Sequence, residues 1–148
     1  MPRYYEDLTV GDVYETGDYE ITETEIREFG AKYDPQPFHT DPEAAEDGPF
    51  DGLVASGWNT AGVTMRLMVE DFIDPETSLG GRGVDNLRWQ RPVRPGDVLT
   101  AEIEVLSKRP SEGRPGVGHV RVGVTGFVDG DRVISWEGLT MVERRGSE

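Results

Sequence analysis

The sequence predicts an α+β fold in which a curled antiparallel sheet wraps around one long central helix. Three observations carry that reading. First, Val54, Trp58, Ala61, Met65, Met68 and Phe72 recur at steps of four and three, and Val63, Leu67 and Val69 widen the apolar face. Such a stretch is a helix buried on most sides. Second, nearly everything after residue 80 alternates between apolar and polar side chains, the period of half-buried strands. Third, 148 residues suit a single domain, 1–148, around one ordinary core.

Each element follows in chain order. Val13, Tyr14, Tyr19 and Ile21 stand among Gly11, Asp12, Gly17 and Asp18, which reads as short strands or a ribbon. Thr22 lies three residues before Glu25, the spacing of a capping box, and Ile26, Phe29 and Tyr33 follow at helical spacing. A helix is expected over about 23–32. Pro35 and Pro37 lack amide donors and restrict the residues before them, so 34–41 is expected as a stiff extended loop. Asp41-Pro42 opens a short acidic helix near 43–46, and 48–52 is another loop. Ser56 is the expected N-cap of the long helix, 56–71, with Gly57 in its first turn.

A strand is expected over 87–93, then a type II turn at Arg94-Pro95-Gly96-Asp97. Ala101, Ile103 and Val105 mark the next strand, and Val120, Val122 and Val124 the one after it. Asp129-Gly130-Asp131 turns the chain into a last run over 133–142. Two prolines and three glycines make 109–118 a mobile loop. One apolar helix with four antiparallel strands packs best as a hot-dog arrangement. Its open sheet edges call for a partner, so a homodimer or higher homo-oligomer is expected.

Composition excludes several function classes. Acidic residues number 29 and basic residues 15, a formal charge of −14. Such a surface repels nucleic acid and anionic membranes, so neither is expected as a partner. There are no cysteines, hence no disulfides and no thiolate metal site. No apolar run approaches the roughly 20 residues that span a bilayer. The first ten residues are mixed and acidic, without the apolar core of a secretion signal, so a cytoplasmic protein is expected. Lys32 and Lys108 are the only lysines beside thirteen arginines. High acid with scarce lysine favours adaptation to concentrated salt, where screening suppresses self-repulsion.

Two short segments carry chemistry. Asp34 and His39 lie five residues apart, with Pro35 and Pro37 on both sides of Gln36 between them. A carboxylate and an imidazole held together can take a proton from water and return one to carbon. Capping of a turn by Asp34 and satisfaction of a buried backbone group by His39 are the structural alternatives. Ala55-Ser56-Gly57-Trp58 opens the buried helix. The first amides of a helix lack internal acceptors, and a glycine there lets a thioester carbonyl approach. Relief of crowding is the alternative role for Gly57.

Tyr33-Asp34-Pro35-Gln36-Pro37-Phe38-His39, followed by Asp41-Pro42-Glu43-Ala44-Ala45, resembles the hydratase signature of the MaoC-like dehydratases, the R-specific enoyl-CoA hydratases of the hot-dog superfamily. Tyr5-Glu6-Asp7-Leu8 with Gly11-Asp12 is similar to that family's N-terminal entry. Gly52 to Trp58 is similar to the start of its central helix, and Leu87-Arg88-Trp89 with 91–97 to its return into the sheet.

The resemblance implies that Asp34 and His39 are the catalytic pair, adding water across the 2,3 double bond of a trans-2-enoyl-CoA to give an R-3-hydroxyacyl-CoA. It implies that the Gly57 amide receives the thioester oxygen and that no metal or redox cofactor is needed. Gln36 and Phe38 depart from the family's asparagine and aliphatic residue. They and Trp58 are expected to narrow the acyl pocket, and Ser56 is a further candidate pocket residue. Arg88, Arg91, Arg94, Arg109 and Arg114 are the candidates for holding the phosphates of coenzyme A. His119 is expected to be structural or surface-exposed. A hot-dog acyl-CoA thioesterase and a non-catalytic acyl-CoA-binding protein are the competing functions, because the fold alone does not decide among them.

Overall fold

The structure, a computed structural model, describes residues 2–146. A short 3-10 turn precedes β1 (Val13–Glu20), α1 (Glu23–Tyr33), α2 (Pro37–Thr40), α3 (Pro42–Glu46) and α4 (Gly57–Asp71). β2 (Ser78–Trp89), β3 (Val98–Pro110), β4 (Val117–Val128) and β5 (Asp131–Glu143) complete the chain. Among the described residues the five strands form one antiparallel sheet in the order β1-β3-β4-β5-β2. The sheet curls around α4, and the α+β hot-dog fold expected from the sequence is the fold observed.

The inward rows of the sheet supply the core. Ile103, Val105, Val122, Val133 and Ile134 are fully enclosed, and Leu67 and Met68 of α4 meet them. The turns follow their chemistry. Asp97 donates its amide to the Arg94 carbonyl, with Gly96 at φ +87°, as a type II turn requires. Asp129 and Gly130 both adopt positive φ, 51° and 80°, the type I′ geometry that matches strand twist in a two-residue hairpin.

Four expectations need correction. The segment 34–41 is not extended throughout: Pro37 starts a single helical turn, α2, because a proline costs nothing at a position whose amide has no intrahelical acceptor. The loop expected over 109–118 shrinks to 111–116, since Pro110 sits at the end of β3 and Gly118 pairs within β4. At Gly118 an added Cβ would lie 2.1 Å from the Tyr5 ring, so this glycine serves a close approach rather than a loop. β2 begins nine residues earlier than the strand expected at 87, its first half hidden behind Gly80, Gly81 and Gly83.

The fourth correction concerns α4. Its buried face is Asn59, Thr60, Val63, Thr64, Leu67 and Met68, whereas Trp58, Met65 and Val69 stand largely exposed on the single chain. Small hydroxyls suit the face against the sheet: Thr64 returns its hydrogen bond to the Thr60 carbonyl and lets the backbones approach. The exposed apolar stripe borders a groove of about 500 Å³ between α4 and strands β2 and β5, lined by Met65, Val69, Phe72, Val84 and Trp136. β2 is an edge strand, exposed along almost its whole length.

Candidate active site

The site forms where α1, α2 and the start of α4 converge. Asp34 caps the end of α1, its amide bound to the Gly30 carbonyl, and Pro35 stops the helix there. One turn later α2 carries His39, which is 6% exposed. Gly30 makes this packing possible: a Cβ there would lie 2.6 Å from the His39 carbonyl oxygen. The segment leading into α4 supplies the other wall, with the Val54 amide bonded to the Phe38 carbonyl.

His39 is held from both sides. Its Nδ1 lies 2.7 Å from the Val54 carbonyl, and its Nε2 lies 3.3 Å from Oδ2 of Asp34. A carbonyl only accepts, so Nδ1 carries the hydrogen, and Nε2 is the nitrogen left facing Asp34. Nε2 of His39 and Oδ2 of Asp34 thus stand side by side on the cavity wall, where one water molecule can contact both. This geometry unites the two readings that the sequence left open: His39 satisfies a buried backbone carbonyl and, by doing so, fixes which nitrogen is free.

The carboxylate is positioned as firmly. Ser56 donates through Oγ to Oδ2 of Asp34 at 2.8 Å, and Gln36 donates through Nε2 to Oδ1 at 2.7 Å. Burial works against the charged form of Asp34, but these two hydrogen bonds and the neighbouring His39 outweigh it and hold the carboxyl below its usual range. A depressed carboxylate stabilises the fold above its unfolded pKa, and that contribution is lost as pH falls through the folded value. Ser56→Ala removes one of the two donors. It is expected to raise the Asp34 pKa, so the acid limb of the pH–rate profile moves to higher pH and the stability lost on acidification becomes smaller. An unchanged limb in a folded Ser56→Ala enzyme contradicts this role.

The α4 N-terminus closes the site. Ser56, fully buried, also accepts the Trp58 amide and thereby caps the helix. The Gly57 amide has no acceptor among the described residues. A Cβ at Gly57 would fall 2.4 Å from Cε2 of Trp89, whose indole lies against the glycine and donates through Nε1 to its carbonyl at 2.9 Å. Crowding and a free amide are therefore both properties of this position. Trp58 meets Trp89 edge to face, and Phe38 packs edge-on against both His39 and Phe50. The resulting cavity, about 530 Å³, is lined by Asp34, His39, Phe38, Gly57, Trp58 and Trp89, among others.

The candidates divide accordingly. Phe38 and Trp58 line the cavity. Gln36 and Ser56 do not: their polar ends are turned to Asp34, so they orient the carboxylate instead of narrowing an acyl pocket. Among the arginines only Arg91 lines the cavity, where it is paired to Asp131 at 2.7 Å. Arg94 is tied to the Phe50 carbonyl near its rim, and Arg88 reaches only the adjacent Leu87 carbonyl. Arg109 and Arg114 belong to the opposite end of the strands. Trp89 was not among the sequence candidates. Its signal was proximity to a strand end in the family-like Leu87-Arg88-Trp89 segment, which gives no indication that the ring reaches Gly57.

Comparison with known proteins places this geometry. The family described as MaoC like domain matches residues 7–127. Uncharacterized protein YdeM of Bacillus subtilis (strain 168) is 30% identical over 112 residues, 76% of this chain and 79% of its own length. The (R)-specific enoyl-CoA hydratase of Rhodospirillum rubrum is 29% identical, with 97% of this chain and 94% of that protein covered. The crystal structure of a MaoC-like dehydratase from Rhodospirillum rubrum superposes with a TM-score of 0.89 at 38% identity, covering 96% of this chain and 97% of that one. With the family matched over most of its length and the sheet wrapped on α4 as in that neighbour, this chain belongs to the MaoC-like dehydratase family.

Proposed function

We propose that the protein hydrates trans-2-enoyl-CoA thioesters to R-3-hydroxyacyl-CoA, and catalyses the reverse dehydration, with Asp34 and His39 as the catalytic pair. The observation that supports this most directly is the 3.3 Å approach of Nε2 to Oδ2 with Nδ1 anchored on Val54. A water held between them gives a proton to Nε2 while its oxygen attacks C3 of the substrate. The electron pair of the double bond moves toward the thioester, whose oxygen takes the negative charge against the Gly57 amide. The proton held at the pair is then delivered to C2, so water is added without net proton exchange. This sequence calls on no metal or redox cofactor. Loss of enoyl absorbance from crotonyl-CoA, without release of free thiol, is the expected result; thiol release in its place assigns a thioesterase.

A second copy of this chain is the proposed partner. The exposed edge of β2 and the apolar stripe of Met65, Val69 and Val84 beside it are unpaired in one chain. Pairing β2 with its copy removes the edge and covers the stripe. Sedimentation at micromolar concentration is expected to show a dimer or a dimer of dimers, and a clean monomer contradicts it.

A cytoplasmic location in a salt-rich cell is the accompanying reading. Among the described residues no helix is long and apolar enough to cross a membrane. With a charge of −14, the melting temperature is expected to keep rising in KCl up to molar concentration, where the Debye length is already about 3 Å. A flat profile from dilute buffer to molar salt counts against it.

A further inference from the structure

The outer face of the sheet carries a cationic pocket away from the cavity of Asp34 and His39. Arg109 of β3 stands opposite His119 of β4 in the sheet register, and Arg82 of β2 lines the same small cavity, about 180 Å³, with Ser107 and Arg121. The site is remote from the catalytic cavity. His119 is level with Met141 on β5, whereas Trp89 is level with Ile134. Seven residues of strand separate them, about 23 Å. His119 also alternates with the inward Val120 and so projects from the face opposite α4.

Acids outnumber bases almost two to one in this chain, so an arginine here has many carboxylates available. Arg121 shows the ordinary outcome: it is paired to Glu137 at 2.8 Å and to Asp85 at 2.7 Å. Arg82 and Arg109, on the same wall, have no carboxylate partner among the described residues. Nδ1 of His119 is enclosed and also lacks a hydrogen-bond partner, a rare state for a buried polar atom. Burial and the positive charges of Arg109, Arg82 and Arg114 together hold the His119 pKa below its usual value. The other groups facing His119 are Met141 from β5 and the already neutralised Arg121.

We propose that Arg82, Arg109 and His119 form a second ligand site, for the phosphoryl group of a small molecule. Two unpaired guanidinium forks and an imidazole supply more than one positive charge, which suits a dianion better than a single carboxylate. A phosphomonoester carries about −1.5 to −2 at neutral pH, and the arginine fork matches its oxygens two at a time. The molecule as a whole, at −14, repels anions, so an anion that binds must do so at a local pocket of this kind.

The test is a titration of the full chain with inorganic phosphate, pyrophosphate and adenosine 3′,5′-bisphosphate at constant ionic strength, following the ring resonances of the two histidines by NMR. His119→Gln assigns the signals. Saturable shifts of the His119 resonances, with its pKa raised in the bound state, are expected, and Arg82→Gln with Arg109→Gln is expected to weaken binding at least tenfold. If the bisphosphate binds tightest and the double variant raises KM for crotonyl-CoA, the phosphoryl group is that of the coenzyme. If phosphate or pyrophosphate binds and KM is unchanged, it is a separate ligand. Shifts that never saturate, that chloride reproduces, or that persist in the double variant overturn the site. Because binding is read without turnover, a failed hydratase assay leaves this outcome independent.

Discussion

Asp34→Asn and His39→Ala are each expected to lower kcat by about 10²–10⁴, the usual contribution of a positioned acid–base group. The two changes fail for different reasons. Asparagine keeps the size of Asp34 and still offers an oxygen to the Ser56 hydroxyl, but it presents no charge to the water beside Nε2. Its fold is expected to survive with little loss. Removing the imidazole also strips the Val54 carbonyl of its donor, and a buried acceptor left unsatisfied costs about 1–3 kcal/mol. His39→Gln is the second variant, since its amide nitrogen is able to donate toward Val54 while supplying no base. Hydration of crotonyl-CoA by the purified variants is the measurement. Near wild-type turnover by folded Asp34→Asn, or by folded His39→Gln, removes the pair from the mechanism.

Much of this arrangement is legible in the sequence. The alternation of β3, β4 and β5, the Asp129-Gly130 hairpin and the Ser56 cap are local signals with local causes, and each appears where its chemistry puts it. What failed to show was tertiary. β2 is rich in glycine and exposed, so neither hydrophobic period nor β-propensity marks it, and its strand character comes from pairing with β5. The face of α4 that meets the sheet is built partly from Asn59, Thr60 and Thr64, while the more conspicuous Trp58, Met65 and Val69 look outward. Hydropathy finds Val63, Leu67 and Met68 of the buried face but misses Asn59, Thr60 and Thr64, because close packing needs small side chains as much as apolar ones.

The site shows the same division. The spacing of Asp34 and His39 is visible in the chain, yet spacing does not say that Nδ1 is tied to Val54 or that Gln36 and Ser56 both aim at one carboxylate. Those contacts join residues up to 22 positions apart and depend on the start of α4 meeting the end of α1, which no local pattern encodes. The arginines illustrate the limit from the other side. Five were equivalent as sequence candidates, but the bend after β2 puts Arg91 at the candidate-site cavity, while strand register puts Arg109 on the outer face.

Gly57→Pro is expected to cut kcat by about 10²–10³, the magnitude of one lost oxyanion donor, provided the indole of Trp89 is first removed. That condition comes from the structure. Any Cβ at position 57 meets Trp89 at 2.4 Å, so alanine and proline alike displace the ring, and neither single variant isolates the amide. In a Trp89→Ala background the comparison becomes clean. Ser56 already holds φ −56° and ψ 140°, a conformation that a following proline accepts. Gly57 is the first residue of α4, its N–H has no acceptor, and its carbonyl retains its helical role, so proline deletes a donor without deleting a helix bond. Gly57→Ala in the same background restores the N–H beside a methyl group and serves as the steric control. Turnover should fall steeply between the alanine and proline variants while circular dichroism stays the same for both. Equal kcat in the two folded double variants assigns the thioester oxygen to another donor, and the role of the α4 N-terminus is then confined to presenting Ser56 to Asp34.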